Sequence, residues 1–92
     1  MAQITNKTEV IYPATIDLKV IMLVSSGDKK NIFDLNGILQ KLNIPLKKEW
    51  KISKSSAGKY SSYTGKVTVA SKEVMYKLFE ELSNHPLVKF AI

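Results

Sequence analysis

Residues 16–24 read Ile16-Asp17-Leu18-Lys19-Val20-Ile21-Met22-Leu23-Val24, and Ser25-Ser26-Gly27-Asp28 follows at once. Ile16, Leu18, Val20, Met22 and Val24 recur at every second position, the period of a β-strand. The alternate face carries Asp17 and Lys19 but also Ile21 and Leu23, as a central strand's second face would. Ser25-Ser26-Gly27 breaks the strand, and Asp28 stands where a helix N-cap is expected. Ile32, Leu35, Ile38, Leu39 and Leu42 then return at helical spacing. A strand that gives way to an amphipathic helix so abruptly is a βα unit, and the rest of the chain reads outward from it.

Upstream, Tyr12-Pro13 predicts an extended lead-in, because proline holds its neighbour in β or polyproline geometry. Residues 1–11 are expected to be a flexible segment and 12–92 a single domain. Downstream, Gly37 weakens the helix by about 1 kcal/mol relative to alanine and is read as a point of close packing on the sheet. Asn43-Ile44-Pro45 ends that helix. Leu46, Lys48, Trp50 and Ile52 alternate with Lys47, Glu49, Lys51 and Ser53, giving a second strand with a lysine-rich outer face. Lys48 breaks the inner face and is read as snorkelling to the edge; Trp50 is expected to be largely buried. Ser55-Ser56-Ala57-Gly58 reads as a hairpin turn. Tyr63, Val67 and Val69 form the inner face of a third strand. Gly65 sits where an inward side chain belongs, so a bulge or a close approach is expected there.

Ser71 caps a second helix with the stripe Val74, Met75, Leu78, Phe79 and Leu82. After Pro86, Val88, Phe90 and Ile92 are read as the inner face of a last strand. The order is β-α-β-β-α-β. Right-handed crossovers and two helical stripes buried on one sheet face make this an α+β, ferredoxin-like two-layer sandwich. Its four-stranded antiparallel sheet would carry both helices on one side. Such folds host many functions.

Composition removes several chemistries. Ninety-two residues, 45% hydrophobic and 24% charged, describe an ordinary soluble domain, too small to hide a deep substrate cavity. Met1–Val10 shows no secretory pattern, and the longest apolar run, Val20–Val24, is far short of the ~20 residues of a membrane span. A cytoplasmic protein without membrane contact is expected. Without cysteine there is no disulfide framework and no thiolate metal site, and no cofactor is expected. His85, alone of its kind, is read as a solvated cap at the second helix's C-terminus. No nucleophile and acid accompany it, so the chain is not read as an enzyme. Arginine is absent, which removes the bidentate phosphate cradle of acylphosphatases. Gly58-Lys59 lacks the rest of a phosphate-loop motif.

All fourteen basic residues are lysine, and the segment 41–59 holds six of them against the single acid Glu49, which is +5 of the formal +6. Lys47, Lys48, Lys51, Lys54 and Lys59 make the candidate basic patch. It either attracts acidic or phosphate-rich partners through a salt-sensitive field, or it keeps an edge strand from pairing with other chains. The open sheet face is expected to show Lys19, Ile21 and Leu23; Lys47, Glu49 and Lys51; Thr64, Lys66 and Thr68; and Leu87, Lys89 and Ala91. It lacks the aromatics on which RNA-recognition domains stack bases, so nucleic-acid binding in that mode is not expected. Ile21, Leu23, Leu87 and Ala91 are either an apolar strip suited to a partner or second copy, or ordinary exposed aliphatics. Ser25, Ser26 and Gly27 form a candidate effector loop, against which Asp28 would disfavour an anion.

From Ser55 onward the chain resembles the YbeD-like family of small bacterial proteins of unknown function. The resemblance rests on Ser55-Ser56-Ala57-Gly58-Lys59-Tyr60 with Ser62, then Leu78, Glu80-Glu81-Leu82 and Val88. Lys19-Val20-Ile21-Met22 and Tyr12-Pro13 resemble that family's first strand and lead-in. Ser55, Ser56, Gly58 and Tyr60 are the family-motif loop. The resemblance implies a ferredoxin-like fold similar to regulatory ACT domains, which bind small effectors between paired subunits, and brings no catalytic residue. A regulatory or adaptor module working through protein contact is therefore expected, with a homodimer left open. An ACT-like effector-binding dimer and a weak nucleic-acid binder using the lysines are the alternatives.

Overall fold

Alternating apolar residues build β1, Ala14–Leu23, which lies inside the sheet with a neighbour on each side. The computed structural model describes residues 11–55 and 57–92, so the expectation of a flexible start falls, apart from Ile11, outside the described residues. After β1 come α1 (Asp28–Lys41), β2 (Leu46–Lys54), β3 (Tyr60–Val69), α2 (Lys72–Asn84) and β4 (Val88–Ala91). The strands lie in the order β2-β3-β1-β4, each neighbouring pair antiparallel. The ferredoxin-like sandwich expected from the sequence is the fold.

β1 and β3 pair without a shift from Ala14↔Val69 to Leu23↔Tyr60. That register puts Leu18, Val20 and Met22 on the same side as Tyr63, Val67 and Val69. Leu35 and Leu39 of α1 and Leu78 and Leu82 of α2 complete the buried core. Burying each such side chain stabilises the fold by about 1.5 to 3 kcal/mol, which is why the helices keep their stripes in register with the sheet. Ser71 opens α2 as expected: its side chain accepts the Val74 N–H at 3.2 Å, satisfying a first-turn donor. α1 opens differently. Gly27, at φ 99°, is the N-cap and supplies no side chain; Asp28 is already helical and its carboxylate turns to Lys54 and Tyr63 instead. The capping role expected of Asp28 is thus corrected.

The edge strands depart from simple alternation. β2 meets β3 at Leu46↔Val67, Lys48↔Lys66 and Lys51↔Thr64, with one extra β2 residue at each step. These are two bulges. The first carries Lys48 to the side of Lys66, so no snorkelling from the inner face is involved. The second brings Trp50 over Gly65, where an added Cβ would lie 2.8 Å from Trp50 Cε3. The glycine therefore marks a close approach, and the irregularity belongs to the facing strand. Trp50 packs against the core but is only half-buried, because β2 is an edge; its indole N–H donates to Asn36 Oδ1 at 2.8 Å. Ile52 is exposed. Gly37 is exposed too, and a Cβ there would meet nothing within 4 Å, so the close packing expected at this glycine does not occur.

β4 is shifted as well. Ala91 lies opposite Val20 and Phe90 opposite Ile21, but Val88 lies opposite Met22, leaving Lys89 as the extra residue. Beyond the strand, Ile92 and Lys19 exchange backbone hydrogen bonds of 2.8 and 2.9 Å. Val88 and Ala91 therefore turn to the core, while Phe90 and Ile92 share the open face with Ile21 and Lys19. This reverses the expectation for Phe90, Ile92 and Ala91. Leu87, expected on the open face, packs against the core. Among the described residues, no helix is long and apolar enough to cross a membrane.

The contact over Gly65 gives a direct test. Gly65→Ala should cost about 1 to 3 kcal/mol by overpacking, read from urea unfolding, and should red-shift tryptophan emission as Trp50 is pushed outward. Unchanged stability and emission would show that Trp50 does not cover this glycine.

Candidate functional site

The loop Ser25-Ser26-Gly27 delivers the chain from β1 to α1, with both serines exposed. Beneath it lies a polar cluster built from four elements. The Tyr63 hydroxyl donates to Asp28 Oδ1 at 2.6 Å and accepts from Asn31 Nδ2 at 3.0 Å. Asn31 Nδ2 also donates to the Leu23 carbonyl at 3.2 Å, and Lys54 Nζ lies 2.7 Å from Asp28 Oδ2. Asn31 is fully buried, and its Oδ1, like the Ser61 hydroxyl, has no hydrogen-bond partner among the described residues. The Lys54 ammonium, and after it the Tyr63 hydroxyl, hold the Asp28 carboxyl below its ordinary value. Burial, with Asp28 second, pushes the Tyr63 phenol up, so it stays protonated and donates. Asn31 escaped the sequence reading. Its one signal was a polar residue four positions before Leu35, on the same helical face.

His85 is the C-cap of α2, as expected, its N–H donating to the Leu82 carbonyl at 3.1 Å, but its side chain is not solvated and ties elements together. Its Nδ1 accepts the Leu87 N–H at 3.1 Å, so the proton sits on Nε2, which donates to Asp34 Oδ2 at 2.9 Å. Lys30 first, and then His85, depress the Asp34 carboxyl. This joins α1 to the corner between α2 and β4, as Lys41 to Glu81, 2.8 Å, joins α1 to α2.

The family-motif loop closes the β2–β3 hairpin. Ser55 N–H donates to the Tyr60 carbonyl at 2.9 Å, Ser55 Oγ accepts the Tyr60 N–H at 3.2 Å, and Gly58 N–H donates to the Ser55 carbonyl at 2.9 Å. Gly58 has φ 73°, a left-handed geometry that glycine adopts without strain. The Lys59 carbonyl accepts the Val24 N–H at 2.9 Å, tying the turn to the end of β1. Ser56 lies outside the described residues. The basic patch divides among differently placed lysines, of which Lys48 and Lys51 share a surface hollow with Lys66, Asp17 and Glu49. Lys54 is committed to Asp28, Lys59 sits in the turn with its ammonium 5.9 Å from the Tyr60 ring, and Lys47, Lys48 and Lys51 are exposed along the bulged β2 edge. On the open face Lys66 pairs with Asp17 at 2.9 Å.

The apolar part of the open face gathers at the opposite side of the sheet. Ile21 and Leu23 are half-buried on β1, while Phe90 remains 49% and Ile92 65% exposed. A groove of about 610 Å³ runs beside it between α2 and β4, lined by Tyr76, Phe79, Val88, Phe90 and Ala91 among others. The strip expected at Ile21, Leu23, Leu87 and Ala91 thus exists with different members: Phe90 and Ile92 replace Leu87 and Ala91.

A family model described as a protein of unknown function (DUF493), the YbeD-like family, matches residues 7–92. The solution structure of protein HP0495 from H. pylori matches with a TM-score of 0.73 and 24% identity, covering 100% of this chain and 94% of that one. At that identity the likeness concerns the fold. A search of curated proteins finds no match.

Three outcomes follow from these sites. Tyr63→Phe should cost about 1 to 3 kcal/mol, because Asn31 Nδ2 and Asp28 lose a buried partner; a urea midpoint equal to wild type would remove this cluster from the stability of the fold. A carboxyl depressed on folding adds stability above its unfolded value of about 3.9 and loses it as pH falls through the folded value. Asp28→Asn should therefore be less stable at neutral pH and lose less stability on acidification below about pH 4; acid limbs of equal steepness would contradict this. For the β2 edge, Lys47→Gln, Lys48→Gln and Lys51→Gln together should leave stability within about 0.5 kcal/mol yet speed aggregation in light scattering. An unchanged aggregation rate would count against edge protection.

Proposed function

We propose, for a chain that belongs to DUF493, a family of proteins of unknown function, that it is a non-catalytic module working through protein contact at the β1–β4 side of its open sheet face. One observation carries this reading: the shift at Lys89 turns Phe90 outward opposite Ile21 and leaves it 49% exposed, with Ile92 at 65% next along the same face. An exposed phenylalanine beside aliphatics is the composition of an interface core rather than of a solvated sheet. The rest of that face is polar: Thr15 and Thr68 share a hydrogen bond of 2.8 Å, Asp17 pairs with Lys66, and Ser62 and Thr64 continue the row. A polar rim around an apolar patch favours specific contact over general stickiness.

Among the described residues, the paired titratable groups serve structure rather than general acid–base work. The Asp28–Tyr63 and Asp34–His85 pairs hold elements together, and each is tied to backbone or to further side chains on both sides. The committed geometry of Lys54 and Lys66 also leaves the lysine-rich edge less suited to a phosphate backbone than its sequence suggests.

Affinity capture at high salt tests the reading. Wild-type protein should retain at least one specific protein, itself included, which a Phe90→Ser, Ile92→Ser variant of equal thermal midpoint fails to retain. Identical retained sets for both would end the assignment of function to this face.

A further inference from the structure

Among the described residues no strand covers the outer edge of β4, which lies against the surface just described, and its occupant can be argued from register and charge. We infer that two copies of this chain associate through β4, pairing antiparallel about a twofold axis at Ala91 and joining their sheets into one. The inference rests on the contact reading above and names the partner.

The two sheet edges differ in charge and in the surface that flanks them. β2 carries two bulges and the exposed Lys47, Lys48 and Lys51, all features that discourage strand addition. β4 is short and bulged as well, but it carries one lysine, Lys89, and its flanks are apolar: Phe90 and Ile92 on the open face, Tyr76 and Phe79 on the helix side. Of the two edges, the one with less charge and more exposed apolar flank is the one suited to a partner.

The hydrogen-bond pattern selects the register. Ile92 exchanges both backbone bonds with Lys19, so the N–H and C=O of Ala91, one residue back, point away from β1. A twofold antiparallel pair needs outward groups on its axis, and Ala91 against Ala91 supplies two reciprocal hydrogen bonds. That register sets Phe90 of each copy against Ile92 of the other on the open face. Aromatic–aliphatic pairs across strands are favourable.

Charge favours the same arrangement. The segment 41–59 holds +5 of the +6 and lies on and around β2. Joining copies at β4 places these segments at the far ends of the combined sheet. Three strand spacings of about 4.8 Å separate β2 from β4 in each copy, so the segments stand well beyond the Debye length of about 8 Å. Joining at β2 would set them face to face. At the β4 edge, Lys89 lies beside Glu80 in the same groove, so the contact is not of one sign.

The size of the contact sets its strength. Tyr76 is 64%, Phe90 49% and Ile92 65% exposed, which amounts to roughly 350 Å² of coverable side chain per copy given the size of such residues. With the strand backbone and Lys89 the total reaches roughly 1,000 Å², the size of a weak, reversible dimer.

Sedimentation of the whole chain from low micromolar to millimolar concentration, with hydrogen exchange at Ala91, tests this. The mass should rise toward a dimer, and Ala91 N–H protection should rise with it. Ala91→Pro removes the outward N–H without touching a β1–β4 bond, and should stay monomeric at the highest concentration. If Ala91→Pro fails to fold, Phe90→Lys decides by the same readout. Overturning results are a wild type monomeric throughout, Ala91 exchange independent of concentration, or a dimer that survives in the folded variants. A monomeric wild type that still captures another protein through Phe90 and Ile92 would overturn the dimer and leave the contact surface standing.

Discussion

The Tyr63 hydroxyl is the point on which the two layers are aligned. It is carried by β3, donates to Asp28 and accepts from Asn31, and Asn31 reaches on to the Leu23 carbonyl. One oxygen therefore joins an interior strand, the first turn of α1 and the end of β1. Buried polar groups are costly unless bonded, so this cluster restricts α1 more sharply than a hydrophobic stripe does. With Asn31 facing inward, Leu35 and Leu39 follow at four-residue steps onto the same face and must enter the core. Gly27, at φ 99°, permits the turn that brings the helix to this position without a side-chain cap.

Away from that anchor, burial decides how regular each strand is. β1 and β3 each have neighbours on both sides, and their mutual register runs unbroken for the length of the strands. β2 and β4 are held from one side only, and both contain extra residues. Because side chains alternate with a period of two, one extra residue exchanges the faces of everything beyond it. This is how Lys48 reaches the side of Lys66, Trp50 comes to lie on Gly65, and Phe90 leaves the core.

The same distinction separates what was legible in the sequence from what was not. The order of elements, the inner faces of β1 and β3 and both helical stripes could be read because burial enforces periodicity there. Gly65 was legible as a bulge or a close approach because a glycine among inward positions needs a reason. The bulges of β2 and β4 contain no glycine to mark them; Lys48, breaking an apolar alternation, is the one trace of them in the sequence. At β4 the alternation Val88, Phe90, Ile92 was a regular pattern that the pairing does not follow. The tie from His85 to Asp34 spans 51 positions and was beyond any local pattern. The family-motif loop was legible as a turn, and its hydrogen bonds give Ser55 and Gly58 structural roles that suffice for their types.

The choice of register at β4 is the most informative departure. Regular pairing onward from Met22↔Val88 would set Lys89 opposite Ile21 and Phe90 opposite Val20, sending Phe90 inward and Lys89 to solvent. That arrangement agrees with every rule of strand patterning. The observed shift instead places Ala91 opposite Val20 and leaves Phe90 49% exposed. Burying a phenylalanine is worth about 1.5 to 3 kcal/mol against leaving it in water, a large fraction of a small domain's net stability. Natural folds that break a local rule at such cost do so where a surface is used. The exposed flank of β4 follows from one inserted lysine, and that lysine sits at the opposite edge of the sheet from Lys47, Lys48 and Lys51.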